Sequence, residues 1–556
     1  MPFRNVGYDV MALVGLQRFC QHQQREEIQD MLREEYDLII STGEISALQL
    51  CFVSYLQRLH VARTDAIRRA FIEDGGWPLH VDATGEDGRG TLLIAYAGWR
   101  RWVLGAWKIP TEHGDAILPC LRKVAQCFGP PVAIVRDLGR AMIPTINTFL
   151  SELDIDIPVL SCHQHFLKDV GNDLLQESYG ELRNLFRRFR IRPGLRDLAR
   201  SLGRTIGEDI DGARGAVAAW GQQEDSSHHL PEGVDGLATV RALAQWVLDY
   251  AAEGNDVGAP FDRPYLDLYE RCTKARRAVD AFLRTLPMDD PVRRALHRLR
   301  KVLHPVASEV PFAQVTRTLN RRAALFDELR DALRLAPKPT GRNQPDPPPS
   351  VGSALTADEF QDIQRNVENL VADLRHRRPQ RGPAGDQRQA IDLVLRHLDA
   401  YGDSLWGHVI TWPEHDARGT RTVDRTNYLI ESLNCAIKRA ERRRSGRKRL
   451  TQDMEHFPAG AALAFNLNDE DYVRLMCGSL DQLPSAFADL DRDGRQHLLQ
   501  GLTPPSRVDF FEPPTSIASA SLQREDRTLV RNEGVKRRFV AAARSRAPRT
   551  GIARQA

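Results

Sequence analysis

Cysteine is sparse in this chain of 556 residues, and its eight copies, at 20, 51, 120, 127, 162, 272, 435 and 477, form no Cys-x-x-Cys pair. That scatter excludes a disulfide framework and a zinc ribbon, and it predicts a reducing, cytoplasmic setting. Long hydrophobic runs are missing as well. No stretch reaches the ~18 apolar residues of a membrane-spanning helix, and the start lacks the basic-then-apolar pattern of a secretory signal. Aromatic residues make up only 7%, and the net charge is only +3, so bulk charge assigns no partner. What is present is 42% apolar and 27% charged residues, the balance of an ordinary globular protein. The length calls for about three or four domains, because single cores rarely grow past ~250–300 residues.

The small net charge hides an uneven distribution. Residues 418–449 hold eleven Lys/Arg against three Asp/Glu, and 181–204 hold eight arginines, among them Arg187 and Arg188. The tail from 502 carries eleven basic against five acidic residues. Basic blocks in a balanced chain point to a polyanion touched at chosen places, although any single block also suits a solvated helix face.

Residues 8–60 read as helices. The stripe Ile45, Leu48, Phe52, Leu56, Leu59 repeats at threes and fours behind a Ser/Thr cap. Two such helices suit a helix-turn-helix, with the second entering a DNA groove, and equally a plain helical hairpin. From 76 the period changes. Strands are predicted at 78–83, 91–99 and 102–109, then a helix at 112–127, a strand at 130–139, a helix near 140–152, a strand at 157–162 and a helix from 163. The order βββαβαβα implies a mixed sheet with helices packed on it. Residues 181–420 look almost wholly helical, broken at 335–355 by a Pro/Gly-rich stretch that reads as a linker. Helices resume at 424–442, and the segment from 500 to 556 reads as a basic, poorly ordered tail.

Two acids stand where strands should stay apolar. In "WPLHVDATGEDGRG" (77–90), Asp82 shares a face with His80 near the strand end, and in "VAIVRDLG" Asp137 closes an apolar strand just before Gly139. Sites in α/β sheets gather at such ends. If the two strands are neighbours, the carboxylates converge, and they repel unless protonated or bridged by a hard cation such as Mg²⁺. Glu86 and Asp87 follow closely and read as turn residues. A third acid is expected on the helix "DRTNYLIESLNCAIKRAERRRSGRKRL" (424–450). Ile430, Leu433 and Ile437 form its buried stripe, and Asn427, Glu431, Asn434 and Lys438 line an adjacent flank. The run Arg439, Arg442, Arg443, Arg444, Arg447, Lys448 and Arg449 suits phosphate contacts beside it.

These residues resemble the DDE transposases of bacterial insertion sequences, notably the Mutator-like ones. The likeness rests on the βββαβαβα order, on Asp82 and Asp137 at strand ends, and on Glu431 within Thr426, Asn427, Ile430, Asn434 and Lys438. Cys162 and His165 resemble the Cys-x-x-His signature of those relatives. The resemblance implies an α/β RNase H-like fold with a mixed five-stranded sheet, interrupted by a large all-α insertion (181–420). The core would lie at 76–180 and 421–475, and a helical DNA-binding region at 1–70. It implies Mg²⁺- or Mn²⁺-dependent phosphoryl transfer on double-stranded DNA with two ions, Asp82 bridging both and Asp137 and Glu431 each holding one, with no organic cofactor. Element ends and target DNA would be the partners, the protein would act as a homodimer, and it would reside at the cytoplasmic nucleoid. Cys162, His165, Asn427, Asn434 and Lys438 would support the acids. Two ligands without a second pair argue against zinc, so Cys162 is expected in the core and His165, or else His163, near phosphate or the acids. Trp412 reads as a core residue, although an aromatic side chain in relatives with a helical insertion stacks on a flipped base. The alternatives are a catalytically silent DNA-binding descendant and an RNase H-like nuclease without strand transfer.

Overall fold

A computed structural model of the chain describes residues 1, 5–137, 139, 141–206, 211–222, 236–251, 260–284, 290–335, 355–414, 417–499 and 510–511. The chain divides into two compact units, one built from Met1–Cys162 together with the chain from Gly407 onward, the other from His163–Trp406.

The first unit opens with α1 (Tyr8–Phe19), α2 (Arg25–Tyr36), α3 (Thr42–Ala62) and α4 (Thr64–Glu73). Strands β1 (Pro78–Glu86), β2 (Arg89–Ala97) and β3 (Trp102–Lys108) follow, then α5 (Gly114–Phe128), β4 (Ala133–Arg136), α6 (Met142–Leu153) and β5 (Val159–Ser161). The five strands form one mixed sheet in the order β3-β2-β1-β4-β5. β1 pairs antiparallel with β2 and parallel with β4, and β4 pairs parallel with β5. Chain connections leave the β1/β4 pair in opposite directions, which makes its carboxyl end a switch point of the kind where α/β sheets open a crevice. Alternation explains the strands: Leu79 and Val81 of β1 are fully buried in the main core with Ile134 of β4, while Ala133 and Val135 point to the other face, into a small cluster with Leu160 and Val423.

The N-terminal helices share one compact unit and one core with the sheet. Met11 of α1 and Phe52 and Leu56 of α3 belong to the same apolar core as Leu79, Ile94 and Ile430. α3 has a single arginine, Arg58, and it is bonded to Asp491 at 3.0 Å. Its apolar stripe, Ile45, Leu48, Phe52, Leu56 and Leu59, is buried. The edge strand β3 is closed by Asn466, whose amide accepts from Val103 N (2.7 Å) and donates to Val103 O (2.9 Å).

The second unit is all helix among its described residues. It holds α7 (His163–Arg188), α8 (Ile191–Ile206), α9 (Asp211–Gln222), α10 (Gly236–Leu248), α11 (Pro264–Phe282), α12 (Pro291–Ser308), α13 (Val310–Ala332), α14 (Ala357–Arg377) and α15 (Gly385–Tyr401), with short 3-10 turns. The helical body therefore begins at 163 rather than 181, because α7 runs unbroken through the expected boundary. Arg187 and Arg188 are exposed in its last turn. Most of the Pro-rich stretch, 336–354, lies outside the described residues.

The helical expectation also fails at 409–422. There β6 (Val409–Glu414) and β7 (Ala417–Thr422) form an antiparallel hairpin, with Val409, Thr411, Thr420 and Thr422 supplying β-branched side chains suited to strands. The chain then forms α16 (Tyr428–Ser445), α17 (Thr451–His456), α18 (Glu470–Cys477) and α19 (Leu483–Leu499). The tail lies outside the described residues except Phe510 and Phe511. Phe510 is buried, and its carbonyl accepts from Trp107 Nε1 at 2.7 Å, so this part of the tail is packed rather than loose. No helix among the described residues is long and apolar enough to cross a membrane.

Candidate metal centre

The β1/β4 register pairs Val81 with Arg136, and one step further lie Asp82 and Asp137. Asp137 sits just past β4, where its Oδ1 accepts from Gly139 N at 3.1 Å. α16 packs across β1 and supplies the third acid. Its stripe Ile430, Leu433 and Ile437 is buried, which turns the Asn427–Lys438 flank toward the sheet.

Three polar members of that flank, Asn427, Asn434 and Lys438, have defined partners on β1. Asn434 Nδ2 donates to Asp82 Oδ2 at 2.7 Å, and Lys438 Nζ donates to Gly85 O at 2.7 Å. His80 Nδ1 and Asn427 Oδ1 are 3.1 Å apart, so His80 and Asp82 share a face, as alternation predicts. Glu431, in the first turn of α16, lies between these ties, and helix N-termini favour a negative charge there. Cys162 is buried and accepts from Asn427 N at 3.2 Å. Its Sγ and a Glu431 carboxylate oxygen are within 4.8 Å. His163 and His165 lie in the first turn of α7, in the other unit, where His163 Nε2 is 2.8 Å from Leu405 O.

Electrostatics register the convergence. Burial, then the charges of Asp137 and Glu431, push the Asp82 carboxyl from an ordinary 3.8 up to about 7. Glu112, in the loop before α5, adds to that field, and its own carboxyl is raised by desolvation and by Asp137. Nothing in "PTEHG" signals this, because the loop has no period and meets Asp137 only through the fold. Burial pushes His80 down to about 4, so its imidazole is neutral near pH 7.

The donor set fits a hard divalent ion. Carboxylates from three chain segments repel one another here, an oxygen-seeking cation relieves that repulsion, and Asn434 orients the Asp82 carboxylate through one of its oxygens. The linkage is testable. Unfolded Asp loses its proton near pH 4, whereas folded Asp82 keeps it to about 7. In EDTA, wild type therefore loses stability relative to Asp82→Asn as pH rises from 4 to 7, by up to ~4 kcal/mol, and levels off above. Urea unfolding of the two proteins at pH 4.5 and pH 8 measures this, and a pH-independent difference refutes it.

The basic run divides in two. Arg439, Arg443, Lys448 and Arg449 are exposed, as are Arg442, 3.8 Å from Glu86, and Arg447, 3.5 Å from Asp453. Arg444 is not a surface residue. It is buried, pairs with Glu441, and sits 5.3 Å from the Phe19 ring centre and 6.0 Å from that of Phe457. It anchors the helix end and is unavailable to a phosphate. Glu86 also lies 3.8 Å from Lys438, and Asp87 accepts from Thr451 Oγ1 at 3.2 Å, so both are turn residues with local partners. Trp412 lies on β6, 6.1 Å from the Trp99 ring, against Gly75 and Gly419, where a Cβ would come within 2.2 Å and 2.6 Å of it.

No family model matches the chain, nor does any curated protein or solved structure.

Proposed function

We propose that this protein is a DNA transposase that cuts and joins phosphodiester bonds at the ends of a mobile element. The observation that carries the reading is the convergence of Asp82, Asp137 and Glu431, drawn from two strand ends and a distant helix. The βββαβαβα succession, with β1–β3 antiparallel and β4 and β5 parallel to β1, supports an RNase H-like core. The helical body at 163–406 supports the reading of an insertion ahead of the last acid.

Asp82, Asp137 and Glu431 would hold the divalent ions, Mg²⁺ or Mn²⁺. Bound there, such a pair supplies an activated water or 3′-hydroxyl and a stabilised leaving oxygen. The chain's own residues do the rest. Asn434 fixes the Asp82 carboxylate, Lys438 holds the β1 turn through Gly85 O, and the exposed cations after Glu431 take the DNA backbone. Double-stranded DNA is the partner this arrangement suits.

Supercoiled plasmid carrying the repeats that flank the gene, incubated with protein and Mg²⁺, tests the proposal. Cleavage followed by joining supports it. Cleavage without joining makes the protein a nuclease, and binding alone makes it a silent descendant. Replacing Arg443, Lys448 and Arg449 with Ala lowers the slope of log K against log salt by ~0.9 per lost phosphate contact, equally for any sequence. Fluorescence anisotropy between low and physiological salt checks this, and an unchanged slope removes these residues from the interface.

A further inference from the structure

We propose that His80 and Asn427 are positioning residues that fix where Glu431 stands against Asp82 and so set the affinity for the divalent ion. The inference rests on the cation reading above.

Asn427 occupies the N-cap of α16, yet its side chain makes no capping bond to the helix. A side chain at that position ordinarily accepts from the first-turn N–H groups and stabilises the helix. Here it is diverted into the sheet: Oδ1 meets His80 Nδ1 at 3.1 Å, and Nδ2 reaches Val81 O at 3.5 Å. Its backbone is engaged as well. N donates to Cys162 Sγ at the end of β5 (3.2 Å), and O accepts from Glu431 N (2.9 Å). One fully buried residue thus ties β1 and β5 to the first helical bond, and the N–H in that bond is Glu431's own.

His80 is the other half. With Nδ2 turned to Val81 O, Oδ1 must accept, so the imidazole donates through Nδ1. The ring is fully buried, and Nε2 has no hydrogen-bond partner among the described residues. An apolar side chain would fill this place without desolvating a polar ring. Gly98, just past β2, lies beside it, and a Cβ there would come within 2.6 Å of Nε2. The Asn434 and Lys438 ties lie further along α16, so loss of the first tie leaves the helix docked and frees only its start. Glu431 is in that start.

Three variants of the full chain separate positioning from capping. Asn427→Ser keeps a good cap but cannot reach His80, His80→Phe keeps the bulk and loses the donor, and His80→Asn retains a donor near the Nδ1 position. Mn²⁺ is titrated into each, with free ion read by electron paramagnetic resonance and thermal unfolding recorded without metal. Asn427→Ser and His80→Phe are expected to bind Mn²⁺ ~10–100-fold more weakly, with His80→Asn recovering most of the loss. Wild-type affinity in Asn427→Ser overturns the proposal, as does an equal loss in His80→Asn and His80→Phe. A wild-type protein that takes up no Mn²⁺ fails the cation reading itself, and the positioning role falls with it.

Discussion

Under the proposed function, Asp82→Asn, Asp137→Asn and Glu431→Gln are each expected to lower Mg²⁺-dependent DNA cleavage by ~10³-fold or more. A bound ion stabilises transition-state charge by several kcal/mol, and each 1.36 kcal/mol is tenfold in rate. The substitutions keep shape and local bonds. Asn at 82 still accepts from Asn434 Nδ2, Asn at 137 still accepts from Gly139 N, and Gln at 431 keeps the stem on the α16 flank. Asp82→Asn also removes the charge that burial and two neighbouring acids disfavour, so that variant is at least as stable as wild type without metal at pH 8. Plasmid nicking beside circular dichroism separates lost chemistry from lost fold. A variant that cuts at the wild-type rate leaves the site without that residue.

The second large effect lies outside the chemistry. Arg444→Ala destabilises the first unit by ~3–5 kcal/mol, because Glu441 is left buried without its partner. The guanidinium also loses its contacts over Phe19 and Phe457 and its bond to Arg18 O (3.4 Å), which join α16 to α1 and to the residue just after α17. Burial already pushes this guanidinium down to about 9. Exposed Arg443→Ala, one residue away, stays within ~0.5 kcal/mol. Urea unfolding followed by tryptophan fluorescence measures both, and equal small losses would mean Arg444 is solvated like its neighbours.

What was legible in the sequence follows from periodicity. Alternation in "LHVD" and "AIVRD" gave both acids and the shared face of His80, and the steps from Asn427 to Lys438 gave the flank that meets β1. Arg444 was hidden by composition. In a basic run it reads as solvated, yet it lies seven residues after Ile437 and continues the buried stripe. The hairpin at 409–422 was masked by long helical stretches before it and by strands too short to outweigh them. Amphipathic helices such as α3 show that a face is buried but not against what, so the sequence alone does not say that this one packs on the same core as the sheet. The hydrogen bond between His80 and Asn427, and the field of Glu112, arise only across the fold and leave no local pattern.

Diffraction from Mn²⁺-soaked crystals, read by anomalous scattering, tests the central claim most directly. Two peaks ~3.5–4 Å apart among the carboxylates of Asp82, Asp137 and Glu431 are the predicted result. A map with no peak at these three side chains, at Mn²⁺ concentrations that saturate the protein in solution, would contradict it.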